Sequence, residues 1–465
     1  MIAMTLAEVA AVTGGDVHGG DPATPITAPA SVDSRLVEPG GLFVAVPGER
    51  VDGHDFAAAA VRAGAGGVLA RRPVGVPTCV VADPVTALGR LARHVVDQLA
   101  DCCVIAITGS QGKTTTKDLL AAALEQVGET VAPVGNLNNE LGVPLTALRA
   151  RHSTRYLVVE MGARGAGQIA YLCTLTPPDI AVVLNVGVAH IGEFGGRAQI
   201  AAAKGELVAA LPSGGLAVLN ADDPLVVAMA DRCVGRRLTF GTAEGADVRV
   251  SDVRLDGDGR ARFRLSAHGL RVPVRLQLVG EHQAHNAAAA TAAALGCGVE
   301  LAVTARLLER ATARSRWRMD VQRRADGVTI VNDAYNANPT SMQAALRTLK
   351  ALGSARSSGR TVAVLGEMLE LGPTALDEHL ALGRLVAELG IDELVAVGSG
   401  AAPIRRGALM AGADPERTVW VPDVPGALAV LDDWLAPGDA VLVKASRDAG
   451  LERVAQGLLG VSVDA

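Results

Sequence analysis

The chain is organised around the segment Ile105-Ala106-Ile107-Thr108-Gly109-Ser110-Gln111-Gly112-Lys113-Thr114-Thr115. An apolar, β-prone run leads into a turn flanked by glycines, and an Ala/Leu-rich stretch with a helical pattern follows from Asp118 to Leu124. Glycine lets backbone N–H groups close around a phosphate, and a helix N-terminus adds a favourable dipole. This succession of strand, glycine turn and helix predicts a site for the phosphates of a nucleoside triphosphate.

The side chains of the turn supply the other parts of such a site. Lys113 is expected to reach the β- and γ-phosphates, and the Thr114 hydroxyl to ligate Mg²⁺. The eight-residue P-loop pattern has a glycine where Ile107 stands, but the shorter spacing Gly109-x-x-Gly112-Lys113-Thr114 contains the same groups. A glycine-rich turn beside a surface lysine is the alternative interpretation. The predicted nucleotide-binding residues are Gly109, Ser110, Gln111, Gly112, Lys113, Thr114 and Thr115.

Length and composition limit the classes of function. With 465 residues the chain is too long for one hydrophobic core and is expected to form about three domains. Aromatic residues make up 2% and the formal net charge is −6, which argues against nucleic acid as a partner. The N-terminus has no basic segment, and the Ala-rich run Ala287 to Val299 is too short to span a bilayer. Since the 6 cysteines lack CxxC spacing, we expect a protein of the reducing cytoplasm that is not inserted in a membrane.

The pattern of apolar runs divides the chain into three blocks. Up to Ala100, short β-like runs mix with Ala-rich helical segments. From Cys103 strands alternate with helices, which predicts a parallel sheet, and the segment Val248 to Leu278 predicts an inserted β-meander. A third block from Arg316 predicts a doubly wound α/β domain, with a flexible loop at 353–359. The predicted strands are Val104–Thr108, Tyr156–Glu160, Ile180–Asn185, Leu216–Asn220, Val328–Asn332, Thr361–Leu365, Leu394–Val397, Thr418–Val421 and Ala440–Val443.

Polar residues follow the strands beside the phosphate loop. Glu160 ends a predicted strand, where a carboxylate is placed to bind Mg²⁺, although a solvent-facing glutamate is the alternative. His190 follows another strand at the same sheet edge and is a candidate for a second cation site, whereas a structural hydrogen bond is the more common role of such a histidine. Lys204, in a helical stretch with little other charge, is by itself typical of a solvated lysine.

These motifs resemble those of the Mur ligases, which build the peptide of bacterial cell-wall precursors. The shortened phosphate loop is similar to the ATP loop of that family, and Gly280-Glu281-His282-Gln283-Ala284-His285-Asn286 is similar to its Gly-x-His-Asn-x-x-Asn element, with Gln283 in place of the first asparagine. The resemblance implies that ATP is the nucleotide, that Asn286 faces the adenine, and that Lys204 is carbamylated by CO₂ and ligates Mg²⁺. Only a neutral amine reacts with CO₂, so burial that lowers the lysine pKa would favour this modification, and arginine could not replace it.

The third block contains residues for the other side of the nucleotide. Asp333 ends a predicted strand, where an acidic side chain can bind ribose hydroxyls. The resemblance further implies that the segment from Asp333 to Met342, including Asn336, meets the nucleotide across a domain cleft, and that Arg318 lies near the phosphates.

Motifs in the first and third blocks resemble those of particular members of the family. Asp33-Ser34-Arg35 is similar to the uridine-nucleotide domain, and Asn136-Leu137-Asn138-Asn139 to the UDP-sugar loop. Gly366-Glu367-Met368-Leu369-Glu370-Leu371-Gly372 with His379, and Val443-Lys444-Ala445-Ser446-Arg447, resemble the member that adds D-alanyl-D-alanine, with Ala445 in place of the usual glycine. The implied substrate-binding residues are Ser34, Arg35, Asn136, Asn138, Asn139, Lys444 and Ser446.

The resemblance implies an ATP-dependent amide ligase that joins D-Ala-D-Ala to a UDP-MurNAc-tripeptide through an acyl phosphate, with ATP and Mg²⁺ bound. A monomer is expected, but the sequence leaves the oligomeric state open. The α/β fold would comprise a small mixed domain (1–100), a central P-loop ATPase-like parallel sheet with the meander (101–315) and a Rossmann-like domain (316–465). A sister ligase that adds diaminopimelate or glutamate, and a non-catalytic scaffold, are the alternatives, and the third residue of the tripeptide stays open. The implied catalytic residues and metal ligands are Lys113, Thr114, Glu160, His190 and Lys204.

Overall fold

The computed structural model describes residues 1–48, 51–187, 194–354 and 359–460. Within these ranges the strands form a 5-stranded, a 9-stranded and a 6-stranded sheet in that order along the chain, besides a 2-stranded pair. This succession of three sheets with intervening helices confirms the predicted α/β class.

The first sheet has the strand order β2-β7-β6-β5-β4, with β4 to β7 parallel and β2 antiparallel at one edge. Its elements are β1 (Met4–Thr5), α1 (Leu6–Thr13), β2 (Asp16–His18), β3 (Pro25–Ile26), β4 (Ala30–Ser31), β5 (Leu42–Val44), a 3₁₀ helix (Gly53–Phe56), α2 (Ala57–Arg62), β6 (Gly67–Ala70), β7 (Thr78–Val80) and α3 (Pro84–Asp97). Helix α3 begins where the Asp83 carboxylate accepts a hydrogen bond from Thr86 N and Pro84 occupies the first turn.

The central sheet has the order β16-β15-β14-β13-β12-β11-β8-β10-β9. Its elements are β8 (Cys103–Thr108), α4 (Lys113–Leu124), β9 (Thr130–Val131), α5 (Gly142–Ala147), β10 (Tyr156–Glu160), α6 (Gln168–Leu175), β11 (Ile180–Val183), α7 (Arg197–Ala209), β12 (Leu216–Asn220), α8 (Pro224–Val227), a 3₁₀ helix (Ala228–Arg232), β13 (Arg236–Gly241), β14 (Val248–Leu255), β15 (Arg260–Ala267), β16 (Leu270–Val279), α9 (Gln283–Gly296) and α10 (Leu301–Arg310). Strands β8 to β14 pair in parallel, and β14, β15 and β16 form the predicted antiparallel meander. The meander extends the central sheet, because β14 pairs with β13.

Both faces of the central sheet are buried, which explains the unbroken apolar runs of its strands. Along β8, Val104 and Ala106 belong to one hydrophobic core, whereas Ile105 and Ile107 belong to the core on the opposite face. A parallel sheet covered on both sides requires apolar residues at every position. The first of these cores also contains Leu88 of α3, so the N-terminal helices pack on the central sheet.

The third sheet has the order β17-β18-β22-β19-β20-β21, parallel except for β17. Its elements are β17 (Asp320–Arg323), β18 (Thr329–Asn332), α11 (Pro339–Ser354), β19 (Thr361–Leu365), a 3₁₀ helix (Gly372–Thr374), α12 (Ala375–Glu388), β20 (Glu393–Val397), a 3₁₀ helix (Ser399–Ala401), α13 (Ala402–Met410), β21 (Thr418–Val421), α14 (Val424–Trp434), β22 (Ala440–Lys444), a 3₁₀ helix (Arg447–Ala449) and α15 (Glu452–Leu458). The doubly wound domain is thus confirmed. The edge strand β17 was not predicted, because its sequence Asp-Val-Gln-Arg has no apolar run.

The largest differences from the predicted boundaries lie in one helix, one strand and one loop. Helix α4 begins at Lys113, before the predicted Asp118, because tertiary packing outweighs the weak helix propensity of its threonines. Strand β11 ends at Val183, before Asn185. The predicted loop 353–359 begins inside α11, and its residues 355–358 lie outside the described ranges. In the described part of the chain, no helix has the length and apolar character needed to cross a membrane.

The carboxyl ends of adjacent parallel strands place the polar residues of the candidate site. In the central sheet β12, β11, β8 and β10 are neighbours, and in the third sheet β18, β22 and β19 are neighbours. Ligands of open α/β sheets bind at this edge, where strand order reverses. The central-sheet segments there are Gly109–Gly112, Glu160, Asn185 and Asn220, and those of the third sheet are Asp333, Lys444 and Gly366–Glu370.

Candidate active site

A cavity of about 1190 Å³ lies where these two sheet edges meet. It exceeds the roughly 300–1,000 Å³ of a pocket for one small ligand. Ser34 and Arg35 lie outside it, and His190 lies outside the described residues. The predicted residues that line the cavity are Gly109, Ser110, Gln111, Gly112, Lys113, Thr114, Thr115, Asn136, Asn138, Asn139, Glu160, Lys204, Asn286, Arg318, Asp333, Asn336, Lys444 and Ser446.

The phosphate loop requires glycine at its last position. Gly112 precedes α4 with φ 82°, a left-handed conformation that glycine adopts without strain. A Cβ atom at Gly112 would lie 2.5 Å from Asn286 Oδ1, so a side chain there would also displace the candidate adenine-binding residue. The fully buried alanines of α9 allow this close packing of α9 on α4.

Asn185 holds the shape of the loop. Its Oδ1 accepts hydrogen bonds of 3.0 Å from both Ser110 N and Gln111 N, and its Nδ2 donates to Gln111 O at 3.2 Å. From the sequence, Asn185 is only the end of a predicted strand, and no role was predicted for it. The signal that identified Glu160 could also have identified Asn185, because both are polar residues near the carboxyl end of a strand next to β8.

Replacing Asn185 with alanine is expected to weaken Mg-ADP binding about tenfold, because Gln111 loses the partners of both its N–H and its carbonyl, while Ser110 N keeps only the backbone carbonyl of residue 185 at 3.1 Å. Isothermal titration calorimetry measures the dissociation constant. Gln98→Ala, which removes an exposed amide near the end of α3, serves as the control. Unchanged affinity in Asn185→Ala would show that the loop keeps its shape without this side chain.

Thr114 and Glu160 form a pair suited to Mg²⁺. The Thr114 hydroxyl donates to Glu160 Oε2 at 2.8 Å, and Asn138 Nδ2 donates to Glu160 Oε1 at 2.8 Å. Hydroxyl and carboxylate oxygens are ligands of Mg²⁺, which needs few protein ligands because phosphates and water complete its shell. In the described ranges no cluster of three or more His, Cys, Asp or Glu side chains could hold a metal.

Two lysines stand near this pair, Lys113 partly buried and Lys204 buried. Lys113 Nζ donates to Gly109 O at 2.8 Å, and burial lowers the pKa of Lys113, an effect that Glu160 opposes. The Lys204 side chain is buried in α7, with 5% exposure, and burial together with Lys113 lowers the pKa of Lys204 to about 7. Among described residues no carboxylate forms an ion pair with Lys204. Lys204 is therefore not the solvated lysine that its local sequence indicates.

The Arg318 side chain lines the cavity and stacks on the ring of Tyr335. Its guanidinium lies 4.1 Å from the centre of the Tyr335 ring, and that of Arg447 lies 5.0 Å from the same ring. Arg447 also donates to the Tyr335 hydroxyl at 3.0 Å. The Nε atom of Arg318 is buried without a hydrogen-bond partner in the described structure. Tyr335, to which the sequence analysis gave no role, thus orients two cations toward the space beside the phosphate loop.

Lys444 organises the predicted ribose-binding segment. Its Nζ donates to Asp333 Oδ2 at 2.6 Å and to Asn336 O at 2.8 Å, while Asp333 Oδ1 accepts from Met319 N at 3.0 Å. Lys444 has only 2% exposure, so its ammonium is committed mainly to this segment. The carboxylate of Asp333 keeps further lone pairs for hydroxyl groups.

The candidate adenine side combines amides with a neutral histidine. Asn286 Nδ2 donates to Gln283 Oε1 at 2.8 Å, and Thr116 Oγ1 donates to Asn286 Oδ1 at 3.4 Å. Gln283, the departure from the family pattern, therefore holds the amide of Asn286. Burial lowers the pKa of His282 to about 4, so this imidazole is uncharged at neutral pH.

Two side chains accept hydrogen bonds from the backbone of the motif 366–372 in the third block. Met368 N donates to His379 Nε2 at 2.9 Å, and Leu369 N donates to Ser446 Oγ at 2.9 Å. The next residue, Glu370, has φ 63°. Its Oε1 lies 3.5 Å from a terminal guanidinium nitrogen of Arg164, which follows β10 of the central sheet. The motif thereby forms one wall of the cavity.

The remaining predicted residues differ in their surroundings. Arg35 is exposed and bonds Asp33 through its Nε and a terminal nitrogen, at 2.9 and 2.7 Å. Asn139 Oδ1 accepts from Gly142 N at 2.9 Å at the start of α5. Asn139 thus lines the cavity at the start of α5, whereas Arg35 lies outside the cavity.

Comparison with protein families gives three matches. The Mur ligase family catalytic domain matches residues 30–95, the Mur ligase middle domain residues 107–294, and the glutamate ligase domain of Mur ligases residues 317–447.

Individual relatives align with almost the whole length of this chain. UDP-N-acetylmuramoyl-tripeptide--D-alanyl-D-alanine ligase of Mycobacterium tuberculosis H37Rv is 46% identical over 500 aligned positions, covering 99% of this chain and 98% of the relative. A crystal structure of MurF from Acinetobacter baumannii is 35% identical, with a TM-score of 0.86 and coverage of 98% and 99%. MurF ligase from Thermotoga maritima in complex with ADP is 32% identical, with a TM-score of 0.78 and coverage of 93% and 97%.

Proposed function

Because this chain belongs to the Mur ligase family, we propose that it is the ATP-dependent ligase that joins D-alanyl-D-alanine to UDP-MurNAc-tripeptide. The relatives named for this activity cover almost the whole chain. One observation carries the proposal: the phosphate loop, Glu160 and the braced motif 366–371 surround a single cavity large enough for several substrates.

The reaction follows from the groups on the two sides of the cavity. The carboxylate of the tripeptide attacks the γ-phosphorus of ATP, the bond between that phosphorus and the bridging oxygen of ADP breaks, and an acyl phosphate forms as ADP leaves. The amine of D-Ala-D-Ala then attacks the acyl carbon, the amide bond forms, and phosphate leaves with the loss of a proton from nitrogen. Lys113 and Arg318 offset the repulsion between the two anions of the first step.

Thr114 and Glu160 would hold Mg²⁺, which would neutralise phosphate charge when bound. We extend the proposal to a second cation held by a carbamate on Lys204 and by His190. The burial of Lys204 and its lowered pKa support the carbamate. Asp333 and Asn286 would bind ribose and adenine, while Ser34, Arg35, Asn136, Asn138, Asn139, Lys444 and Ser446 are proposed for the peptide and UDP-sugar substrates.

The division into 1–100, 101–315 and 316–465 remains part of the proposal and is supported by the spans of the three family matches. We place the reaction in the cytoplasm, where ATP and UDP-linked sugars are available, and propose a monomer because one chain lines the whole described cavity.

Phosphate release from Mg-ATP with UDP-MurNAc-tripeptide, measured with and without D-Ala-D-Ala, tests the proposal. We expect release only with both substrates, together with the pentapeptide product by mass spectrometry. Release driven by a single amino acid on a shorter acceptor would identify a sister ligase. No release with any acceptor would favour a non-catalytic role. Acceptors ending in diaminopimelate or lysine, tested in parallel, identify the third residue.

A further inference from the structure

The linker between α10 and β17 is bound to the helix that follows the phosphate loop. Ser315 Oγ donates to Asp118 Oδ2 at 2.8 Å, and both side chains are buried. Arg314 donates two hydrogen bonds of 2.6 and 2.7 Å to the Glu125 carboxylate at the end of α4. We call these two contacts the linker clamp. Through it the start of the third block is attached to the helix that bears Lys113.

The buried half of the linker clamp is rigid. Asp118 Oδ1 accepts from Lys117 Nζ at 2.5 Å, and Lys117 Nζ also donates to Pro133 O at 2.9 Å. Both charged side chains are buried, so each needs its partners to offset the loss of hydration. Ser315 therefore bonds a carboxylate whose position is already determined by α4.

The residues after the linker clamp adopt a strained backbone. Trp317 has φ 58° and Met319 has φ 50°, left-handed conformations that cost free energy in residues with a side chain. Tyr335 N donates to Trp317 O at 3.2 Å, and Met319 N donates to Asp333 Oδ1 at 3.0 Å. Arg318 thus projects from a strained turn that the linker clamp holds on one side and the third sheet holds on the other.

We propose that Asp118 and Ser315 are positioning residues that orient Arg318 toward the phosphates bound at Lys113. The two left-handed residues, Trp317 and Met319, flank Arg318 directly. Between them, the Arg318 guanidinium stacks on Tyr335, and its Nε is buried without a hydrogen-bond partner in the described structure. The inference rests on the proposed function, because it assigns the linker clamp to the alignment of a phosphate-binding cation.

The two halves of the linker clamp are expected to differ in importance. The ion pair of Arg314 with Glu125 is about 40% exposed and therefore screened by solvent. The hydrogen bond of Ser315 to a buried carboxylate is stronger because a charged acceptor is desolvated. Arg314→Ala should therefore change kcat little, whereas Ser315→Ala should lower kcat about tenfold.

A double-mutant cycle tests whether Ser315 acts through Arg318. We expect Ser315→Ala to lower kcat in the native chain but to have no further effect in an Arg318→Ala background, and Ser315→Thr to keep the native rate. Thr304→Ala removes a buried hydroxyl of α10 that bonds Glu300 O, and as the control it should leave kcat unchanged. Equal losses from Ser315→Ala in both backgrounds would overturn the proposal.

Thermal unfolding separates misfolding from mispositioning. If Ser315→Ala does not fold, Ser315→Cys replaces it in the cycle, because a thiol fills the space but donates only a weak hydrogen bond. The native chain, assayed with both substrates, tests the proposed function separately. If it does not ligate, the same cycle is measured on the dissociation constant of Mg-ATP, where coupling between positions 315 and 318 supports the proposal and additivity overturns it.

Discussion

Replacing Lys113 with alanine is expected to abolish ligation, lowering kcat by about 10³-fold or more, as for other preorganised cations that stabilise transferring phosphoryl groups. Lys113 is the first residue of α4, and its Nζ lies over the loop through its 2.8 Å bond to Gly109 O. An incoming triphosphate would take the place of that carbonyl as the partner of the ammonium. Lys113 is the only lysine of the described loop segment 109–115, and Arg318, which also lines the cavity, is stacked on Tyr335 of the third block.

Phosphate release with both substrates measures this effect, and thermal unfolding shows that the variant is folded. Lys350→Ala is the matched control, since among the described residues Lys350 Nζ bonds a backbone carbonyl, that of Gly390, in the third block. Near-normal ligation by Lys113→Ala would contradict the assignment of the phosphate loop. Lys113→Arg should recover little activity, because its branched, planar group does not reproduce the compact ammonium.

Replacing Lys204 with arginine is expected to lower kcat about 10³-fold, as much as alanine does, if the carbamate is the active form. Arginine keeps a positive charge but cannot react with CO₂. An ammonium role predicts the opposite, namely substantial activity in Lys204→Arg. Lys204→Glu, which supplies a carboxylate near the same place, should recover part of the rate lost in Lys204→Ala.

The lowered pKa of Lys204 sets the pH dependence. With a pKa of about 7, the neutral amine that forms a carbamate increases as the pH rises through neutrality. Ligation should therefore rise from about pH 6 to pH 8 and should fall when bicarbonate and CO₂ are removed from the buffer. NMR with isotopically labelled bicarbonate detects the carbamate carbon directly, and Lys350→Arg is the control. Full activity without CO₂ would contradict the carbamate.

Local patterns predicted most of the fold. The apolar run of β8, the glycine turn and the helical stretch behind it identified the phosphate loop, because each needs only its own residues and their nearest neighbours. Glu160 was found because the carboxyl end of a strand has a known direction relative to the loop. The meander was predicted from its alternating apolar and polar residues. It joins the central sheet through the pairing of β13 with β14, which no local sequence pattern indicates.

Residues whose roles depend on distant partners were missed or described differently. Asn185 was passed over because its backbone partners, Ser110 and Gln111, lie far away along the chain. The local sequence of Lys204 is typical of an exposed helix, whereas packing buries it. Lys444 was assigned to substrate, and the structure places its ammonium on Asp333 and Asn336.

The amino-acid sequence by itself determined the alternation of most strands and helices in the second and third blocks, the glycine turn before α4 and the family motifs, since these depend on residue type and spacing. Tertiary structure alone decided how the two sheet edges enclose one cavity, which amines are buried, and how Asp118 reaches Ser315 to restrain the turn at Arg318. The physical reason is that desolvation, pKa values and hydrogen bonds between side chains depend on which distant segments meet. Distant segments come into contact because the whole chain buries its apolar surfaces as it folds.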